Sequence, residues 1–273
     1  MRYKIYDASA FHGKTGVGTT VITDQSHPLL NGCMPISHHD RGWRKELNNR
    51  LSIGRHNHIN SRGINTIVLD PEFLMSPINQ FNSTIEPEIL NYNVIQLGNL
   101  IKRTQENNPL ANVGVFNCLP SQCWWYIDPA QRRNWLARTN SYFTKLCDIA
   151  IPDALFAQFY VFKTNAYGGL DTEDNRKQQW IECVNGYLAW ANKYAIGMPI
   201  FGFVQHTTHP SAQKDGYISP EFFEFQLKYL ADNKINPVWW SNWSEVRQAM
   251  WTFQEVQPYL DVINRLTGIV IDV

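Results

Sequence analysis

The stretch Ile64-Asn65-Thr66-Ile67-Val68-Leu69-Asp70-Pro71-Glu72 is an apolar, β-branched run that stops at two carboxylates with one residue between them. Such side chains favour a strand, and alternate side chains of a strand share a face. Thr66, Val68 and Asp70 then line one face, and Ile67, Leu69 and Pro71 the other. If the chain stays extended through Pro71, Asp70 and Glu72 project side by side. Two carboxylates so placed do not both ionise easily, so one pKa rises. A raised carboxyl pKa suits a general acid. The same letters also fit a helix start, with Asp70 as N-cap, Pro71 at the first helical position and Glu72 in the first turn. The rest of the chain has to decide between the two.

Working outward, residues 3–10 read as a first strand with Asp7 near its end, followed by a loop-rich insertion at 13–42 without clear periodicity. A segment of that kind usually carries function or covers something. Trp43, Leu47 and Leu51 stand at helical spacing and predict a helix over 43–52. Past Glu72, Leu90, Val94, Leu97 and Ile101 mark a helix opened by Glu86-Pro87-Glu88, and Val113–Pro120 is a strand. Asp128-Pro129 opens the next helix, Ala154–Phe162 is an apolar strand, and Asp171–Ala195 is a long helix. Ile200–His206 is a further strand, Ser219-Pro220-Glu221 caps a helix through Lys234, and Pro237–Asn242 is a strand. Ser244–Leu266 is helical, and Gly268–Val273 forms a last short strand.

Strands alternating with helices throughout imply a parallel sheet with right-handed crossovers. The expected fold is α/β, with residues 1–273 as a single TIM-like (β/α) barrel of about seven or eight strands, complete or distorted. An open doubly wound sheet is disfavoured, because no Gly-x-Gly-x-x-Gly follows a strand and no phosphate loop is present. Polar or aromatic residues recur at successive strand ends: Asp7, then Asp70 and Glu72, Asn117, Gln158 and Tyr160, Gln205 and His206, Trp240 and Asn242. In a barrel those ends converge on one mouth, where active sites sit.

The 273 residues carry 24 basic and 24 acidic side chains, which argues against a nucleic-acid footprint or an anionic membrane surface as partner. The weight lies on 10 Trp, 12 Tyr and 14 Phe beside many Asn and Gln. Flat rings and amides suit sugars, whose C–H faces stack while their hydroxyls need donors and acceptors. Five cysteines without a repeated short spacing point to reduced thiols rather than a zinc site or a disulfide frame. Residues 1–7 lack an apolar signal core, so synthesis in the cytoplasm without a signal peptide is expected, and no stretch approaches a membrane span.

An apolar strand ending in Asp-x-Glu, a Tyr closing a later strand and a Trp in one of the last strands resemble the substrate-assisted barrel glycosidases of the chitinase and hyaluronidase families. The opening Asp7-Ala8-Ser9-Ala10-Phe11-His12-Gly13 also resembles the Asp-Val-Ser start of the family-25 lysozymes. The chain departs from these families in having Asp70 as the one acidic residue before Glu72, Pro71 between them, and no clear counterparts of the hyaluronidase cysteines. The resemblance implies Glu72 as general acid, Asp70 as the carboxylate that orients an N-acetyl group, Tyr160 as its helper and Trp240 as the floor of the sugar site.

The implied reaction is proton donation from Glu72 to a glycosidic oxygen, with an N-acetyl oxygen or a water attacking the anomeric carbon. In the second case Asp7 or Asp70 serves as base. The expected substrate is a polysaccharide, N-acetylated by resemblance, and no cofactor or metal is called for. Trp239, Trp240, Trp124 and Trp125 are candidates for stacking on sugar rings, with one member of each pair expected in the core. Asn117, Gln158, Gln205, His206 and Asn242 are candidates for hydrogen bonds to hydroxyls. Two other readings stay open: a metal-dependent hydrolase using His206 and His209 with nearby carboxylates, and an inactive barrel that binds glycan or serves as a structural part.

Overall fold

The computed structural model describes residues 3–8, 19–21, 33–35, 37–39, 43–45, 51–53, 66–70, 87–116, 129–161, 171–208, 216–240 and 253–268. In chain order the elements are β1 (Ile5–Ala8), β2 (Thr19–Val21), β3 (Cys33–Pro35), β4 (Ser37–His39), β5 (Trp43–Lys45), β6 (Leu51–Ile53) and β7 (Thr66–Leu69). They continue with α1 (Pro87–Asn107), β8 (Asn112–Val115), α2 (Pro129–Cys147), β9 (Leu155–Gln158) and α3 (Glu173–Tyr194). The last are β10 (Ile200–Val204), α4 (Pro220–Asp232), β11 (Ile235–Trp240) and α5 (Phe253–Thr267).

From β7 onward the strand-helix alternation matches the sequence reading, for local reasons visible in the caps. Ser219 accepts a hydrogen bond from the Phe222 N–H at 3.0 Å, with Pro220 at the first position of α4 and Glu221 in its first turn. Thr172 caps α3 by accepting from the Asn175 N–H at 3.2 Å, and Glu173 and Asp174 complement the helix dipole. Two expectations change. Residues 43–45 and 51–53 form an antiparallel strand pair, not a helix. The spacing of Trp43, Leu47 and Leu51 fits a helix, but the intervening Asn48-Asn49 favours a turn. The stretch read as irregular also contributes the strands β2, β3 and β4. Residues 241–252 and 269–273, which held parts of the expected last strand and helix, lie outside the described residues.

One sheet runs β3-β1-β11-β10-β9 with every pairing parallel. A second runs β2-β4-β7-β8, parallel except at β2. The two touch at Phe116, whose N–H donates to the Leu69 carbonyl at 2.8 Å and which bridges to Phe156 of β9. At the other edge, β3 lies on β1 and β4 lies on β7, with residue 36 alone between them in sequence.

Strands β7 to β11 are buried on both faces, as parallel strands are, and alternation sorts their side chains into two cores. Ile67, Leu69, Val113, Val115, Leu155 and Ile200 pack on the helix side with the apolar faces of α1 to α5. Tyr6, Val68, Phe116, Phe156, Phe201, Phe203 and Val238 form a separate, largely aromatic cluster on the other face. Its rings tile edge to face: Phe116 meets Phe203 at 4.8 Å and 67°, and Tyr6 meets Phe201 at 4.9 Å and 78°. Among the described residues no helix is long and apolar enough to cross a membrane, and Cys147 and Cys183 are free thiols.

Gly114 of β8, opposite Val68, is required by this packing. A Cβ there would lie 2.2 Å from the Ala154 carbonyl oxygen and 2.8 Å from the Phe156 ring. Because one of those atoms is backbone, relief needs a strand to move. Gly114→Ala is expected to lower stability by about 2–4 kcal/mol, read from urea midpoints, despite the higher strand propensity of Ala.

Candidate functional site

At the carboxyl ends of the parallel strands the aromatic cluster gives way to polar side chains. Val68 faces that cluster while Ile67 and Leu69 face the helices, so one further step returns Asp70 to the aromatic side. Its carboxylate is buried, with 4% of the residue exposed. Phe116 lies beside it, through the hydrogen bond to the Leu69 carbonyl. The Phe116 ring in turn meets Tyr160 at 6.3 Å and stacks near Trp240 at 6.2 Å and 26°. Phe203 closes the group, 5.9 Å from Trp240. Tyr160 and Trp240, expected from distant strands, thus meet one ring that sequence reasoning did not single out, and Asp70 follows the Leu69–Val115 pair in register with Phe116.

Gln158 and Gln205 share this face. On β9, Ala154, Phe156 and Tyr160 belong to the aromatic cluster while Leu155, Ala157 and Phe159 face the helices, so Gln158 points inward with Tyr160. On β10, Phe201 and Phe203 point inward and Val204 outward, which turns Gln205 inward. Both amides are buried. The segment before Tyr160 is held from behind: the Trp180 indole N–H of α3 donates to the Phe159 carbonyl at 2.8 Å.

Trp239 and His206, also expected at the sugar site, sit on the opposite face. Trp239 is fully buried against Phe223 of α4, and its indole N–H donates to His206 Nδ1 at 3.2 Å. The imidazole lies 4.9 Å from the Tyr259 ring of α5 and 5.9 Å from Tyr217. The cause is strand parity: each is one step from an inward-facing neighbour, Trp240 or Gln205. Burial pushes the His206 pKa down to about 3, so the ring is a neutral acceptor. Burial likewise raises the Tyr259 phenol, whose O–H donates to the Ile218 carbonyl at 2.6 Å. These groups make a polar brace inside the helix layer.

Asp7 pairs in register with Trp239 and Pro35 near the end of β1. Glu72, Asn117, Trp124 and Asn242 lie outside the described residues, as do Trp125 and His209. Among the described residues no group of three or more His, Cys, Asp or Glu gathers as a metal site.

No family model and no curated protein matches the chain. Among solved structures it is similar to bee venom hyaluronidase, at 12% identity over 73% of this chain and 71% of that one, with a TM-score of 0.47. It is similar also to bee venom hyaluronidase in complex with a hyaluronic acid tetramer, at 12% identity over 76% and 69% of the two chains, with a TM-score of 0.47.

The brace gives a pH prediction. His206 has a folded pKa of about 3 against an ordinary 6.5. Its contribution is therefore fully present above pH 6.5 and is lost as pH falls toward 3, by up to about 5 kcal/mol. His206→Gln keeps an acceptor for Trp239 and removes the titration. Urea unfolding between pH 6.5 and 3 should show the wild type losing up to about 1.4 kcal/mol per pH unit more than the variant.

Proposed function

We propose that this protein is a glycosidase-like hydrolase of a polysaccharide, N-acetylated by preference, with Glu72 as general acid and Asp70 as the carboxylate that orients or stabilises the reacting sugar. The observation that carries this reading is Asp70 itself. It is a buried carboxylate at the carboxyl end of a parallel strand, turned toward the same aromatic face as Tyr160 and Trp240. Carboxyl ends of parallel strands are where α/β enzymes place their chemistry.

The reading includes a closed (β/α) barrel in the ring order β1, β3 with β4, β7, β8, β9, β10, β11. What supports closure is the Phe116 junction on one side and the single residue between β3 and β4 on the other. In such a ring the aromatic cluster is the barrel interior and Asp70, Gln158, Tyr160 and Trp240 lie at its mouth. Glu72, two positions past Asp70, donates its proton to the glycosidic oxygen. An acetamido oxygen or a water attacks the anomeric carbon, and Asp70 holds the amide or assists the water. Tyr160 positions that group, and Trp240 supplies a flat face for a pyranose ring. Asn117, Trp124 and Asn242 extend the contacts to neighbouring sugars, with Asp7 as an auxiliary carboxylate. Trp239 and His206 fall outside the sugar site, in the helix layer.

The test is reducing-end release from hyaluronan, chitin and peptidoglycan by wild type, Glu72→Gln and Asp70→Asn, each confirmed folded by its thermal midpoint. Removal of the acid is expected to lower release by about 10²–10⁴-fold, and Asp70→Asn by a comparable factor. Full release by Glu72→Gln removes the proposed acid. No release from any of the three polymers, with polysaccharide binding retained, replaces the enzyme with an inactive glycan-binding barrel.

A further inference from the structure

Gln205 follows β10, and its neighbours fix its direction. Val204 before it and His206 after it belong to the helix layer, so Gln205 projects to the aromatic face with Phe201 and Phe203. Register fixes its flanks. Phe203 pairs with Gln158 on one side and Val238 on the other. One step past the Val204–Trp239 pair, Gln205 comes beside Trp240, while on the β9 side the register slips so that Val161 pairs with Thr208. It has no exposed surface, and among the described residues neither Nε2 nor Oε1 has a hydrogen-bond partner. Thr207, two residues on, also buries its Oγ1 without a partner.

A buried amide with both ends unmet is destabilising, and native proteins keep few of them. Gln226, the other glutamine with both amide atoms in this condition, is on α4, behind the sheet. Gln205 is instead on the aromatic face of the sheet, beside Trp240 of the proposed sugar site. An uncharged side chain offering one donor group and one acceptor complements a ligand that presents an acceptor and a donor side by side. A carboxylate offers acceptors alone and would face Oε1 unfavourably, while an ammonium offers donors alone and would face Nε2 the same way.

We propose that the Gln205 amide, beside Trp240, is a specificity-determining contact kept for a neutral sugar group, either an acetamido group or a vicinal diol. This inference rests on the glycosidase reading and assigns the part of that site which distinguishes neutral from charged sugars. The amide is held unpartnered in the free protein and is satisfied by ligand, so the protein gives up stability at this position for recognition.

Gln205→Met tests this, since it keeps length and volume and removes both polar atoms. Binding is measured by calorimetry with chitotetraose and with cellotetraose, in the full chain carrying Glu72→Gln so that neither probe is cleaved. The expected result is a tenfold or greater loss of affinity on Gln205→Met, with a thermal midpoint unchanged or raised in the absence of sugar. Loss confined to chitotetraose assigns the acetamido group, and loss confined to cellotetraose, whose rings carry the C2–C3 diol that chitotetraose replaces with an acetamido group, assigns the diol. Unchanged affinity for both probes overturns the inference. So does a midpoint lowered by several degrees, which would give the amide a protein partner, and so does binding of neither probe before Gln205 is changed. Reducing-end release by Gln205→Met alone keeps the two readings apart. Release at the wild-type level, abolished by Glu72→Gln, leaves the glycosidase standing without this contact.

Discussion

Strands β7 to β11 are buried on both faces, and this makes side-chain parity the constraint on which everything else depends. One step along a strand moves a side chain from the helix layer to the aromatic interior layer. Ile67, Val68, Leu69 and Asp70 take the two sides in turn. So do Phe203, Val204, Gln205 and His206, and the same step separates Trp239 from Trp240. A functional group at these strand ends is therefore defined as much by its register as by its chemistry, and a shift of one residue would exchange site for core.

The helix layer does more than cover the sheet. Tyr160, Trp240 and Gln205 are each next in sequence to a residue that is anchored on the helix side by a hydrogen bond. Trp180 holds the Phe159 carbonyl beside Tyr160, and Trp239 and His206 hold each other beside Trp240 and Gln205. Tyr259 of α5 binds the Ile218 carbonyl, and Glu173 of α3 accepts from the Ser219 hydroxyl at 2.6 Å, tying the starts of α3 and α4 together. Indole and phenol groups suit this role because each has a large apolar body and one polar tip. The neutral His206 fits the same logic, since a charged ring in that layer would oppose the indole donor.

How much of this was legible in the sequence follows from what each signal encodes. Long amphipathic helices with Ser or Thr caps and Pro starts declare themselves locally, as at Ser219-Pro220, and the apolar runs at 66–69, 155–158 and 200–204 left little choice but buried strands. The three-residue strands β2 to β6 carry too few residues for any period, and the Trp43-Leu47-Leu51 spacing read as a helix where two strands stand. Asp70, Tyr160 and Trp240 stand out in the sequence because each is a polar or aromatic residue at the end of an apolar run. Phe116 does not, because nothing in its composition distinguishes a ring that organises a site from one that fills a core. Trp239 and His206 look like site residues in sequence, and parity alone sets them apart.

The abundance of aromatic residues, which first pointed toward sugars, therefore has to be divided before it means anything. Trp180, Trp190, Trp239, Phe159, Tyr187 and Phe223 are absorbed by the helix layer. On the other face Phe201 meets both Tyr6 and Phe156, filling the cluster ahead of the polar strand ends. Among the described residues, what remains at the strand ends is small: Trp240 and Tyr160 against Phe116, on the face that also takes Asp70 and two buried amides. In that setting the rings raise the strength of each polar contact by excluding water. They also fix which contacts exist, since a packed aromatic floor leaves a glutamine few partners other than the molecule that arrives.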